Sequence, residues 1–268
     1  MYFYAHFCLT EDYDMRIVVK VGTSTLAHPS GLINIRRVEE LCKVMSDLKN
    51  AGHDIILVTS GAIGMGAGKL QLSERPRDVA AKQAAAAVGQ CELMYTYDKL
   101  FSEYNHTVAQ LLMTGSDFEN EERHINFKNT MDKLLEFKAL PIINENDTVA
   151  TEEIKVGDND TLSAMVAANV NADLLILLSD IDGLFTADPH SDPNAKLISV
   201  VSEINDDILA LGGGEGSSLG TGGMRTKLNA ARICTENNCD MIIANGENPD
   251  ILYDIVEGKA VGTRFIRR

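Results

Sequence analysis

The chain has 268 residues, 45% of them hydrophobic, with 24 basic and 39 acidic side chains and a formal net charge of −15. That apolar content supports one large α/β domain or two small ones. A chain this acidic has no general attraction to nucleic acid or to an anionic membrane, so a phosphate compound must be held by local groups.

Residues 1–14 carry no Lys or Arg and only a short apolar run. They lack the basic start and long apolar core of a signal peptide. They read as an N-terminal extension, disordered or an artefact of the chosen start codon, ahead of one domain at 15–268. Residues 16–22 read as a buried strand. Residues 34–50 read as an amphipathic helix, with Ile35, Val38, Leu41, Cys42, Met45 and Leu48 at helical spacing, Asn34 as N-cap and Gly52 as stop. Residues 53–59 are a second strand. The Ala-rich run 78–103 is helical, 106–113 strand, 118–137 mostly helix and 139–144 strand. Residues 150–156 read as one arm of a hairpin, 159–170 as helix and 173–179 as a very apolar strand. A short helix at 204–211 precedes a glycine-rich loop. Helix 224–237, strand 240–245 and helix 249–257 complete the series.

Apolar strands alternating with helices predict a mostly parallel sheet covered on both faces. Ligands of such sheets bind beyond the carboxyl ends of the strands. Several polar clusters fall there. No apolar run approaches the ~20 residues of a membrane span. The five cysteines show no CxxC or zinc spacing and read as free thiols of a reducing cytoplasm.

The densest cluster is IINENDTV at 142–149 followed by KVGDNDT at 155–161. It gathers Asn144, Glu145, Asn146, Asp147, Asp158, Asn159 and Asp160. Like charges at that density repel, so a polar substrate or cation-bearing nucleotide is the reading that explains it best; solvated turns are the bland alternative. KVGTST at 20–25 places Lys20 near a strand end, then Gly and hydroxyl residues whose amides suit an oxyanion. It is not a GxxxxGK[ST] phosphate loop, and a strand-end surface lysine reads nearly as well. TSGAIGMGAG at 59–68 offers Ser60 and free amides as an anion seat, or simply small residues for close helix packing. The run 212–227 ends by opening a helix with Lys227 in its first turn. Positive charge there opposes the helix dipole, and a polyphosphate would resolve the conflict. LSDIDGLFTADP at 178–189 follows the most apolar strand and could hold a nucleoside, or merely turn.

With these segments in hand, the chain resembles the glutamate 5-kinase branch of the amino-acid kinase family, from about Arg16 to about Phe265. VKVGTS, TSGAI, AAVGQ (86–90), INENDTVA, EIKVGDND, GLFTADP, GTGGM-x-TK and VGT-x-F occur in the family's order. INENDTVA with KVGDND is specific to that branch; KVGTS and TSGA recur more widely. The resemblance implies a three-layer αβα sandwich. It implies transfer of the ATP γ-phosphoryl, with Mg²⁺ riding on the phosphates, to the side-chain carboxylate of L-glutamate, a step of proline biosynthesis. Lys20 and Lys227 would stabilise the transferring phosphoryl and Asp160 would orient them. Ser60, Asp147 and Asn159 would bind glutamate, Asp147 pairing with its ammonium. Lys20, Ser179, Asp180 and the run Thr221, Gly222, Gly223, Met224, Arg225, Thr226 and Lys227 would contact ATP. No residue is assigned as a direct metal ligand.

A carboxylate acceptor is already ionised at neutral pH and needs no general base, which suits the absence of His from every cluster. The resemblance also implies a cytoplasmic homodimer or homotetramer, with feedback inhibition by proline involving a loop near 120–129. Many members carry a further C-terminal RNA-binding-like (PUA) domain, which is not expected here. The competing expectations are another amino-acid kinase, acting on acetylglutamate, aspartate or carbamate, and a non-catalytic nucleotide- or amino-acid-binding regulator.

Overall fold

The computed structural model describes residues 14–28, 32–149, 158–189, 191–213 and 223–268. The extension expected at 1–14 lies outside these except for Asp14, as do the strand expected at 150–156, Thr221, Gly222 and most of the glycine-rich loop. In chain order the first half contains β1 (Arg16–Val21), α1 (Thr23–Leu26), α2 (Ile35–Asn50), β2 (Asp54–Val58), α3 (Ala62–Lys69), α4 (Val79–Ser102), β3 (Val108–Met113), α5 (Gly115–Glu119), α6 (Glu121–Glu136) and β4 (Leu140–Glu145). The second half contains α7 (Asn159–Asn169), β5 (Leu174–Ser179), β6 (Val200–Val201), α8 (Asp206–Ala210), α9 (Met224–Glu236), β7 (Asp240–Asn245), α10 (Ile251–Val256) and β8 (Thr263–Phe265).

The described strands form one sheet in the order β3-β4-β2-β1-β5-β7-β8-β6. Every pair from β3 through to β7 is parallel, and β8 runs antiparallel to β7. A parallel sheet survives in water only with both faces covered, and the strands obey: Val18, Ile56, Leu175 and Ile243 face one core, while Val19, Leu57, Ile176 and Ile242 face the other. Helices α6, α7 and α9 supply the first layer, and α2, α4 and α10 the second. Fully burying one such aliphatic side chain contributes about 1.5–3 kcal/mol. The chain winds from β1 outward to β2 and on to β3 at the edge, comes back to β4 between them, then crosses past β1 to β5. The strand order therefore reverses at β1, the position at which sheets of this kind form their ligand crevice beyond the carboxyl ends.

Three local expectations change. The helix expected over 118–137 is two helices, because Asn120 takes an extended ψ of 116° and its side chain accepts from the Arg123 amide to cap α6. Residues 120–129, expected as a loop, are thus this cap and the first part of α6. The short strands β6 and β8 were not legible in the sequence. Val200–Val201 and Thr263–Phe265 are too short to show a period, and only pairing with β7 and with each other defines them.

Candidate active site

Alternation along β1 sends Val18 into the core beneath α7 and α9, so Lys20, two residues on, points the same way. There it meets Asp160 in the first turn of α7. Asp158 starts that helix as N-cap, accepting from the Thr161 amide at 2.7 Å. Lys20 Nζ lies 2.6 Å from Asp160 Oδ1, and Lys227 Nζ lies 3.0 Å from Oδ2. The Thr226 hydroxyl also donates to Oδ2, at 3.0 Å. Asp160 is 0% exposed, Lys227 5% and Lys20 8%, so the three charges interact where water screens them little.

Burial alone would push the Asp160 carboxyl up, but the Lys20 and Lys227 ammonium groups beside it outweigh that and hold it below its usual value. One carboxylate serves two ammonium groups and fixes both. Within this triad two ammonium groups and one carboxylate sum to one positive charge. The lysine near the α9 N-terminus, whose conflict with the helix dipole pointed to a polyphosphate, therefore has a built-in counter-ion. Asp158 behaves differently. Burial and the nearby Asp160 carboxylate raise it to about 6, against the lowering effect of the Thr161 amide and Lys20.

On the β2 side of β1, Gly61 adopts φ 99°, a left-handed turn that frees the start of α3. Ser60, just before it, accepts from Asn159 Nδ2 at 3.0 Å, which ties the β2 turn to the start of α7. The Asn159 Oδ1 atom is buried and has no hydrogen-bond partner among the described residues. On β4, Asn144 Nδ2 donates to Gln90 Oε1 at 2.8 Å, a buried bond to α4. Helix α4 reaches this point because glycines admit it: a Cβ on Gly89 would stand 1.8 Å from the Ala62 carbonyl oxygen, and one on Gly66 1.7 Å from that of Ala85. Asp147 lies in the half-buried turn after β4.

On the β5 side, Leu178 pairs with Val21, so Ser179 follows level with Gly22. The Ser179 hydroxyl donates to Asp180 at 3.1 Å, and Asn245 at the end of β7 donates to Asp182 at 2.8 Å. Gly223 caps α9, Met224 begins it and Arg225 points to solvent.

The fold thus brings Lys20, Asp160, Thr226 and Lys227 into one cluster. It sets Ser60, Asn159 and Asp147 on one side of it, and Ser179 and Asp180 on the other. Sequence reasoning missed two contacts. Thr226 holds Asp160 through its hydroxyl, and Gln90, quoted only as the end of AAVGQ, bonds Asn144. A polar residue closing a run of small ones in a long helix was the available sign of the second.

Two ammonium groups locked on a buried carboxylate at the carboxyl edge of a parallel sheet suit transfer of a charged group. The sequence profile of the amino acid kinase family matches residues 15–245. The chain belongs to the amino acid kinase family. It is 54% identical over 251 residues to a glutamate 5-kinase of Clostridium acetobutylicum, an alignment covering 94% of each protein. It is 52% identical over 257 residues to one of Clostridium perfringens, covering 94% of this chain and 96% of the relative. At this identity it groups with the glutamate 5-kinases within the family. Among solved structures, a carbamate kinase from Giardia lamblia bound to AMP-PNP superposes with a TM-score of 0.67 at 16% identity, covering 96% of this chain and 100% of that one. That likeness supports the fold alone, the three-layer arrangement around a mostly parallel sheet.

Proposed function

We infer that this chain transfers the γ-phosphoryl group of ATP to the side-chain carboxylate of L-glutamate, forming L-glutamyl 5-phosphate for proline biosynthesis. The observation that carries the chemistry is the buried Lys20–Asp160–Lys227 triad. Phosphoryl transfer asks little of a protein beyond positioning and charge stabilisation, and two preorganised ammonium groups provide both. The more than 50% identity to glutamate 5-kinases over nearly the whole chain supports glutamate as acceptor rather than acetylglutamate or aspartate.

In this reading Lys20 and Lys227 stabilise charge on the phosphoryl in flight, and Asp160 keeps them in place between turnovers. The ATP is taken as its Mg²⁺ complex, the ion travelling on the phosphates as part of the substrate. Its binding side is the β5 half, with Ser179, Asp180 and the run from Thr221 to Lys227. Glutamate lies on the β2–β4 half, held by Ser60, Asn159 and Asp147, with Asp147 toward the ammonium. The nucleophile is the ionised γ-carboxylate: an oxygen lone pair forms the new O–P bond as the β,γ-bridging O–P bond breaks, and ADP leaves with that electron pair. No proton need move. Proline, which shares the α-amino-acid head group, fits as an inhibitor competing for the β2–β4 half. A cytoplasmic homo-oligomer with a kinase domain spanning 15–268 completes the reading.

The test is ATP consumption by the purified chain with Mg²⁺ and L-glutamate, with hydroxylamine trapping the acyl phosphate, repeated with N-acetylglutamate and aspartate. Glutamate-dependent hydroxamate is the expected result. Folded protein that binds ATP yet turns over none of the three would favour the regulator instead.

A further inference from the structure

We propose that Gln90 is a substrate-binding residue whose side-chain amide donates a hydrogen bond to the α-carboxylate of the amino-acid substrate. The inference rests on the glutamate reading above and adds a residue to it.

Its starting point is a chain of orientations that leaves no choice. The backbone amide of Glu145 can only donate, and it does so to Asn144 Oδ1 at 2.9 Å. The oxygen end of Asn144 is therefore fixed, and its nitrogen end faces Gln90. That nitrogen donates, so the Gln90 atom it meets at 2.8 Å is the oxygen Oε1. The remaining end of Gln90 is a donor. Gln90 is only 8% exposed, and its Nε2 finds no hydrogen-bond partner among the described residues. Buried donors without partners are rare in folded proteins, and this one asks for an acceptor that the described residues do not supply.

The surroundings place that acceptor. Gly89 lets α4 press on the Ala62 carbonyl, directly after Ser60 and Gly61, so Gln90 sits against the turn that carries Ser60. Tyr97, two turns further along α4, bonds the Thr59 hydroxyl at 2.8 Å and pins the same helix face to the end of β2. Strands β2 and β4 are neighbours here, the Thr59 amide donating to the Ile143 carbonyl at 2.9 Å. The Gln90–Asn144 and Ser60–Asn159 pairs therefore both lie at the carboxyl ends of β2 and β4, the first toward α4 and the second toward α7. Strand β4 is two strands from β1, roughly 10 Å at ordinary strand spacing. The carboxylate that reacts must reach Lys20 and Lys227 on the β1 side. The carboxylate left for Gln90 is the one on the α carbon.

The rival role is bracing, in which Gln90 serves only to hold Asn144. Two variants separate the roles. Gln90→Glu keeps an oxygen for Asn144 but replaces the donor with an acceptor, and Gln90→Leu removes both. Steady-state kinetics at pH 8.5 should show the KM for glutamate raised at least ~10-fold in Gln90→Glu, and no less than in Gln90→Leu, as expected for loss of a hydrogen bond to a charged group. The KM for ATP should stay within about twofold of wild type. Lowering the pH to 6 should relieve part of the Gln90→Glu defect, because burial at this 8%-exposed position raises a carboxyl and its protonated form donates again. A glutamate KM within about twofold of wild type in Gln90→Glu at pH 8.5, with Gln90→Leu impaired, would establish bracing and overturn the proposal. Wild-type protein that does not phosphorylate glutamate would overturn the reading beneath it, and that result is seen without any variant.

Discussion

The two halves of the crevice are prepared in opposite ways. Around β1, Lys20, Asp160, Thr226 and Lys227 satisfy one another through contacts of 2.6–3.0 Å. Around β2 and β4, neutral amides are paired at one end only: Gln90 Nε2 and Asn159 Oδ1 are buried without partners among the described residues. The difference follows from what each atom costs when left alone. An unpaired buried charge is too expensive to carry through folding, so the ionic centre contains its own counter-ion. An unpaired buried amide atom costs about 1–3 kcal/mol, which a fold can bear. The neutral amides can therefore stay poised for a ligand while the buried ion triad must be complete beforehand.

Four changes test that contrast, from the largest expected effect to the smallest. Lys227→Ala removes a charge that acts in the transition state, and we expect kcat to fall by about 10²–10³ while circular dichroism shows a folded protein. Near-normal turnover would break the assignment of the ionic centre. Asp147→Ala should raise the KM for glutamate roughly 10- to 100-fold with a smaller change in kcat, since it removes a charge-assisted contact made equally in ground and transition states. An unchanged KM would take Asp147 out of the substrate half.

Gly89→Ala introduces a methyl where the Ala62 oxygen already sits, so α3 and α4 must part. We expect a loss of about 1–3 kcal/mol in urea unfolding, with a raised glutamate KM as Gln90 shifts. Stability equal to wild type would show that the close approach does not position Gln90. The subtlest test concerns Asp158, whose carboxyl is raised to about 6 by burial and by Asp160. Between its usual 3.8 and about 6 the folded chain keeps a proton that the unfolded chain has lost, so stability falls as pH rises through that window. Asp158→Asn still caps α7 and cannot ionise. Its melting temperature should decline less than wild type between pH 4 and 6.5, and an identical profile would rule out the effect.

Much of this architecture was legible early. The run LLILLS at 174–179 reads as a buried strand and is β5, and Asn34 caps the helix its position predicts. Residues 142–149 and 158–161 pointed to a candidate site because no ordinary turn needs so many carboxylates and carboxamides. Other features carried no sign. Residues 118–137 read as one mostly helical stretch, yet Asn120 divides the segment into α5 and α6. Strand β8 is three residues long, and a period of two cannot be read from it.

The sequence by itself determined the alternation of strands and helices, the family and the residue types at each strand end. Those depend on local spacing and on short motifs, which survive without knowledge of distant contacts. Only the tertiary structure decided which charges meet. Lys20 and Lys227 lie far apart in the chain, and their common partner Asp160 follows from α7 and α9 packing on the same face of β1. It also decided that Gln90 meets Asn144 at all, because that depends on glycines of two helices allowing a backbone approach that no linear pattern records.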